Sequence, residues 1–177
     1  MNKSKYIWMD GKFTPWDDAK VHVLTHTLHY GNGAIEGTKA YKTVDGRCAI
    51  FKLKEHTQRL LNSSKMTLMN VPYSLEELNA AQVKLLQENE LFDGAYIRPL
   101  VYLGYGVMGL YHKECPVNVS ISAWEWGAYL GEEGLKKGVR VKISSMTRTP
   151  NTSGMGKAKA VANYLNSQMA KYEAVEA

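Results

Sequence analysis

Cysteine is scarce. Cys48 and Cys115 are the only two in 177 residues, they stand far apart, and neither belongs to a C-x-x-C pair. This excludes a disulfide framework and a thiolate zinc site, and it suits a reducing compartment. No apolar run approaches the ~18 residues that suggest a membrane span, and the opening MNKSKYIWMDGKF lacks the apolar core of a signal peptide. Basic residues outnumber acidic ones 22 to 17, for a net charge of +5 and a pI near 9.1. No block of five or more like charges occurs, so a nucleic-acid or membrane patch is not indicated and only a mild attraction for anions follows. A cytoplasmic protein is expected.

What is present is an ordinary globular composition, 45% hydrophobic and 22% charged, in a chain long enough to bury a core. Asp10-Gly11 joins Tyr6–Met9 to Lys12–Thr14 as a type I′ hairpin, and Asp45-Gly46 separates two further strand-like flanks, Ala40–Val44 and Arg47–Lys52. Leu53, Leu60, Leu61 and Leu68 recur at helical spacing before Asn70-Val71-Pro72 ends the run. Ser74-Leu75-Glu76-Glu77 is a capping box that opens a second helix, with Leu75, Leu78, Leu85 and Leu86 on one face. Tyr96–Leu103, Val117–Trp124 and the alternating Val139–Met146 read as strands, and a last helix is expected from about Lys157 to Val175. The glycine-rich, charged stretch between Trp126 and Gly138 is the candidate boundary. The expected fold class is α+β. Residues 1–128 form a complete small two-layer α/β domain, 129–138 a linker, and 139–177 the first strand and lysine-bearing helix of a larger domain.

Several motifs fall away. Gly31-x-Gly33-x3-Gly37 is one residue longer than the dinucleotide fingerprint and follows no apolar strand, so a close-packed turn accounts for it better. Gly154-Met-Gly156-Lys157 lacks the earlier glycine and the Ser or Thr of a phosphate loop. His22, His26 and His29 have a spacing that could bind zinc, but with no nearby second-shell carboxylate, histidines bonded inside a packed segment are the favoured reading, and no metal is expected. No G-x-S-x-G elbow occurs, and neither cysteine has a nucleophile's motif.

The informative constellation is Lys157-Ala-Lys159-Ala-Val-Ala-Asn163-Tyr164. A lysine at a helix opening faces the positive end of the helix dipole, which favours its neutral amine. With only alanines beside it, Lys159 could hold a carbonyl cofactor as a Schiff base, and Tyr164 could reach a phenolic oxygen on that ligand. By spacing alone, a solvated lysine remains the default.

This segment does not stand alone. Together with His29-Tyr30-Gly31-x4-Glu36-Gly37, Gln58-Arg59-Leu60, Ala95-Tyr96-Ile97-Arg98-Pro99 and Trp126-Gly127-Ala128-Tyr129, in one collinear order from Tyr6 to Glu173, it resembles the branched-chain amino acid aminotransferases, which are fold type IV pyridoxal 5′-phosphate enzymes. The resemblance implies transamination of Leu, Ile and Val against 2-oxoglutarate. It makes Lys159 the covalent anchor and acid/base, Arg59 the phosphate ligand and Tyr164 the partner of the cofactor's phenolic oxygen. Trp126 and Tyr129 match walls of the side-chain pocket, while Tyr96 and Arg98 match residues that line it and orient the carboxylates. Tyr30 and Leu110 match groups that reach the pocket from a neighbouring subunit, which implies a homodimer. Ile35 and Lys39 stand where related bacterial enzymes often carry Phe and Arg. Because the family extends far beyond the lysine segment, these 177 residues read as its N-terminal part. D-amino acid transamination, aminodeoxychorismate lyase chemistry and a non-catalytic dimerising fragment are the alternatives.

Overall fold

The computed structural model describes residues 2–127, 131–150, 152 and 156–177. Its centre is a long antiparallel pair, β6 (Ala95–Leu103) and β7 (Val117–Glu125), in register from Ala95↔Glu125 to Leu103↔Val117. On one side β7 pairs with β1 (Tyr6–Met9), which turns into β2 (Lys12–Pro15). Asp10 and Gly11 both take positive φ, 45° and 91°, as a type I′ turn requires. On the other side β6 pairs with β3 (Gly33–Ile35) and β4 (Thr38–Lys42), and β4 returns through Asp45-Gly46 to β5 (Cys48–Ile50). All these pairings are antiparallel.

β3 and β4 behave as one strand with a gap. Gly33↔Tyr102, Ile35↔Leu100, Thr38↔Ile97 and Lys39↔Tyr96 share one register, and the two missing rungs are Glu36 opposite Pro99 and Gly37 opposite Arg98. Proline has no N–H to give the ladder, so only its carbonyl is used, accepting from the Glu36 N–H at 3.0 Å. Because the register is unbroken, Glu36 stays on the same face as Ala34, Thr38 and Ala40, all buried.

Strand alternation then divides the molecule. Ala95, Ile97, Val101 and Leu103 of β6, with Val119, Ile121 and Ala123 of β7, point to a buried face. Two helices pack in this core, α2 (Leu53–Met66) and α3 (Leu75–Glu88). The capping box of α3 forms as expected, with Ser74 Oγ accepting from Glu77 N–H and the Glu77 carboxylate accepting from Ser74 N–H. Leu78, Leu85 and Leu86 are buried with Leu60 of α2. The rest of the α2 buried face is polar: Thr57, Ser63 and Ser64 sit there, and Leu68 lies beyond the helix and is exposed. Thr57 donates to Asn79 Oδ1 at 2.6 Å and accepts from Gln82 Nε2 at 2.9 Å, so the helices join through a satisfied hydroxyl–amide network as well as leucines.

The late part of the chain departs from the sequence expectations. Val139–Met146 is not a strand. No neighbouring strand pairs with it among the described residues, and it is held instead by Glu173, which accepts from Ser144 Oγ at 2.6 Å and Ser145 N–H at 2.9 Å. The expected linker contains a short helix, α4 (Gly131–Lys137). The last helix, α5, runs Tyr164–Val175, so it starts seven residues after Lys157 and leaves Lys159 outside it. A short helix, α1 (His26–Tyr30), carries two of the three spaced histidines. Among the described residues no helix is long and apolar enough to cross a membrane.

Candidate functional site

Lys159 is set by its backbone. Its N–H donates to Ser63 Oγ of α2 at 3.0 Å, its carbonyl accepts from Ile35 N–H at 3.1 Å, and the next residue, Ala160, bridges Ala34 of β3. These tertiary bonds take the groups a helix would use, which is why an alanine-rich stretch of good helix formers stays extended here. Close docking also needs Gly33: a Cβ there would come within 3.1 Å of the Val101 carbonyl and of Val161 Cγ2. The dipole of a helix opening at Lys159 is therefore not part of the site.

The Lys159 side chain is half-buried, and its Nζ donates to Tyr164 Oη at 2.7 Å. Two cavities meet at this pair, since both residues line each of them. Lys157 is exposed and lines only the second, so of the two lysines it is Lys159 that faces both spaces.

The first cavity, about 740 Å³, lies on the sheet face opposite the core helices. Ile35, Tyr96, Arg98 and Leu100 reach it because they alternate with the buried residues of β3 and β6. Tyr96 stands edge-on to Trp126 at 4.6 Å and lies 5.1 Å from Trp124. Arg98 donates to Tyr96 Oη at 2.8 Å, so the guanidinium and the phenol form one unit at the cavity wall. Lys39 Nζ donates to the carbonyls of Trp126 and Gly127, each at 3.3 Å, and so fixes the chain that carries Trp126. The space is thus largely apolar with a few fixed donors, a form suited to a small substrate with a hydrocarbon end and an acidic end.

The second cavity, about 610 Å³, is lined by Arg59, Arg148 and Lys157 besides Lys159, and among the described residues no carboxylate lines it. Such a cup fits a phosphate, for which arginine offers a planar fork of donors. An amine and a phenol at its rim fit a phosphorylated carbonyl compound bearing its own hydroxyl. Arg148 was missed in the sequence, where an isolated arginine before a turn carries no signal.

Arg59 itself is held from below. Its Nε donates to Glu36 Oε1 at 2.5 Å and its Nη2 to Oε2 at 2.8 Å, and His56 Nδ1 lies 2.9 Å from the same Oε2. The Glu36 side chain is fully buried while that of Arg59 is half exposed. Burial alone would raise the Glu36 carboxyl, but hydrogen bonds from Arg59 and His56, the Arg59 charge and the Gly37 N–H together hold it below the ordinary value. Sequence reading placed Glu36 within a motif without a role, because its partners lie 20 and 23 residues away.

Other expected residues are placed elsewhere. Tyr30 and Leu110 are exposed and line neither of these cavities, and Tyr129 lies outside the described residues. His22 stacks on Tyr105, His26 Nε2 bonds the Gly109 carbonyl and His29 Nε2 the Val23 carbonyl, and no cluster of metal-ligating side chains occurs among the described residues.

Comparison with known proteins gives the chain's family and fold. The chain is 48% identical to the branched-chain-amino-acid aminotransferase of Pseudomonas aeruginosa over 169 residues, covering 96% of this chain and 54% of that protein. To the Escherichia coli K12 enzyme of the same name it is 41% identical, covering 97% and 55%. Its fold matches a T.th. branched-chain amino acid aminotransferase solved with pyridoxamine 5′-phosphate at a TM-score of 0.92 and 45% identity, over 99% of this chain and 57% of that one. The chain spans about half the length of the curated relatives it matches. Residues 33–177, from the strand that docks Lys159 through α5, match the amino-transferase class IV model, and the chain belongs to that family.

Proposed function

We propose that this chain carries the lysine-bearing half of a pyridoxal 5′-phosphate-dependent transaminase. Its substrates are the branched-chain L-amino acids Leu, Ile and Val, with 2-oxoglutarate and glutamate as the alternating pair. The observation that carries the reading is the Lys159–Tyr164 contact at the junction of an apolar cavity and a cationic cup. Bound pyridoxal phosphate supplies an electron-withdrawing ring that makes the Cα proton of an amino acid removable.

The chain's own residues have the following parts. Lys159 Nζ is the covalent anchor and, as a free amine, the base that takes the proton from substrate Cα. Tyr164 Oη, already within hydrogen-bond reach of that amine, fixes its position and would be the partner of the cofactor's phenolic oxygen. Arg59 would hold the phosphate, with Arg148 and Lys157, which line the same cavity, adding positive charge. Ile35, Leu100 and Trp126 wall an apolar side chain, and the family resemblance gives Tyr129 the same part. Arg98 and Tyr96 orient carboxylates, while Lys39 holds the Trp126 wall in place. Tyr30 and Leu110, exposed on their own chain, are assigned to the pocket of a second subunit in a homodimer. We place the enzyme in the cytoplasm.

The test is a substrate panel on the full-length gene product that carries these residues. L-Leu with 2-oxoglutarate should turn over far faster than D-Ala, and aminodeoxychorismate should release no pyruvate. A preference for D-Ala, or pyruvate release, would move the assignment to another reaction of the same fold group.

A further inference from the structure

Glu36 stands out as a buried charge that the proposed chemistry does not use. Burying a carboxylate is costly, and an ion pair of this kind is often no better for stability than apolar packing. The partner makes the arrangement more unusual: with its side chain 54% exposed, Arg59 needs no buried anion for its own solvation. An arginine at a surface normally loses rotamer freedom when it is fixed, and here that freedom is removed before any ligand arrives.

The contacts show how. Glu36 Oε1 receives Arg59 Nε, and Oε2 receives Arg59 Nη2, His56 Nδ1 and, at 3.3 Å, the Gly37 N–H. The fork is thus engaged along one edge, and Arg59 Nη1 has no partner among the described residues. Glu36 is in turn immobile, since it stands on the core face of the strand opposite Pro99, with its own N–H on the Pro99 carbonyl. His56, one turn before Arg59 on α2, closes the third side.

Resting on the cofactor reading above, we propose that Glu36 is a positioning residue for phosphate recognition: it pins one edge of the Arg59 guanidinium so that the other edge is presented to the second cavity. The role is orientation, because the carboxylate cancels part of the charge that would otherwise attract the anion. A lysine at position 59 would keep the charge and lose the fork.

The experiment compares pyridoxal 5′-phosphate with unphosphorylated pyridoxal, titrated into the cofactor-free full-length protein by fluorescence or calorimetry. The readout is the ratio of the two dissociation constants, which a general loss of stability does not move selectively. Glu36→Gln should lower the preference for the phosphorylated ligand by about tenfold or more, the scale on which a lost outer support is felt at a binding site, and leave pyridoxal affinity unchanged. Arg59→Ala should lower it as well, and the double variant no further than Arg59→Ala alone. Arg59→Lys, which keeps the charge beside Glu36, should lose the preference too, and it serves if Glu36→Gln does not fold. A preference lost in Arg59→Ala but intact in Glu36→Gln or Arg59→Lys would overturn the proposal and leave the cofactor reading standing. A wild-type protein that does not prefer the phosphorylated ligand would overturn both.

Discussion

At position 37 the absence of a side chain is what lets Tyr96 and Arg98 meet. A Cβ there would lie inside contact distance of the Tyr96 hydroxyl and 2.7 Å from Cζ of its ring. The ring has little room to retreat, with Trp124 and Trp126 on it and Arg98 bonded to its oxygen. Gly37→Ala should therefore leave the fold intact, since no positive φ is involved, but displace the Tyr96–Arg98 unit. Steady-state kinetics on the full-length protein should show KM for the amino acid raised about tenfold, roughly the weight of one charge-assisted hydrogen bond, and cofactor affinity unchanged. An unaltered KM would remove Tyr96 and Arg98 from substrate binding.

Glu36 also makes a prediction about acid. Its folded-state pKa lies below the ordinary value of 4.5, so the pair contributes stability in full above that pH. This contribution is lost as pH falls below 4.5 toward the lower folded value. Denaturant unfolding midpoints should therefore fall more steeply with acid in the wild type than in Glu36→Gln. Parallel slopes would mean that the Arg59 and His56 contacts do not hold the charge. None of this was readable in the sequence, where Glu36 is one acid in a glycine-rich turn and its environment depends on a strand gap opposite Pro99.

At the scale of elements, what was legible is what is local. The Asp10-Gly11 turn, the Ser74 capping box and the strands β6 and β7 were read from adjacent residues, and each appears with nearly the expected bounds. Ser74→Ala should cost about 1 kcal/mol of unfolding free energy, the usual value for a lost N-cap, with no change in the cavities. A loss indistinguishable from zero would show that α3 is held by Leu78, Leu85 and Leu86 alone. The misreadings that bear on the site are non-local. The alternation of Val139–Met146 is real, but alternation makes a strand only beside a partner, and the segment instead bonds to Glu173. Lys159 sits in a helix-forming composition, yet Ser63 and Ile35, distant in sequence, claim its backbone. In α2 the leucine spacing located the helix but not its buried hydroxyls, one of which positions that lysine.

Across the whole molecule the site is a seam. One face of the sheet buries its odd-numbered β6 residues in the core with α2 and α3, and the other supplies Tyr96, Arg98 and Leu100 to a cavity. The segment bearing Lys159 is fastened across β3 and α2, where that cavity meets the cationic cup. Lys159, Arg59, Tyr96, Arg98 and Trp126 each lie in a short motif, and the geometry adds why they converge: β3 and β4 share one register against β6, and Ser63 of α2 and Ile35 of β3 hold the Lys159 backbone. The mild positive charge of the composition also acquires a place, in Arg59, Arg148 and Lys157 around one cup.

The central claim is that Lys159 is the residue that holds the cofactor, and reductive trapping tests it most directly. The full-length protein is loaded with pyridoxal 5′-phosphate, treated with borohydride, digested and mapped by mass spectrometry. The phosphopyridoxyl group should be found on Lys159, and Lys159→Ala should yield none. A label on Lys157, or trapping undiminished in Lys159→Ala, would contradict the account.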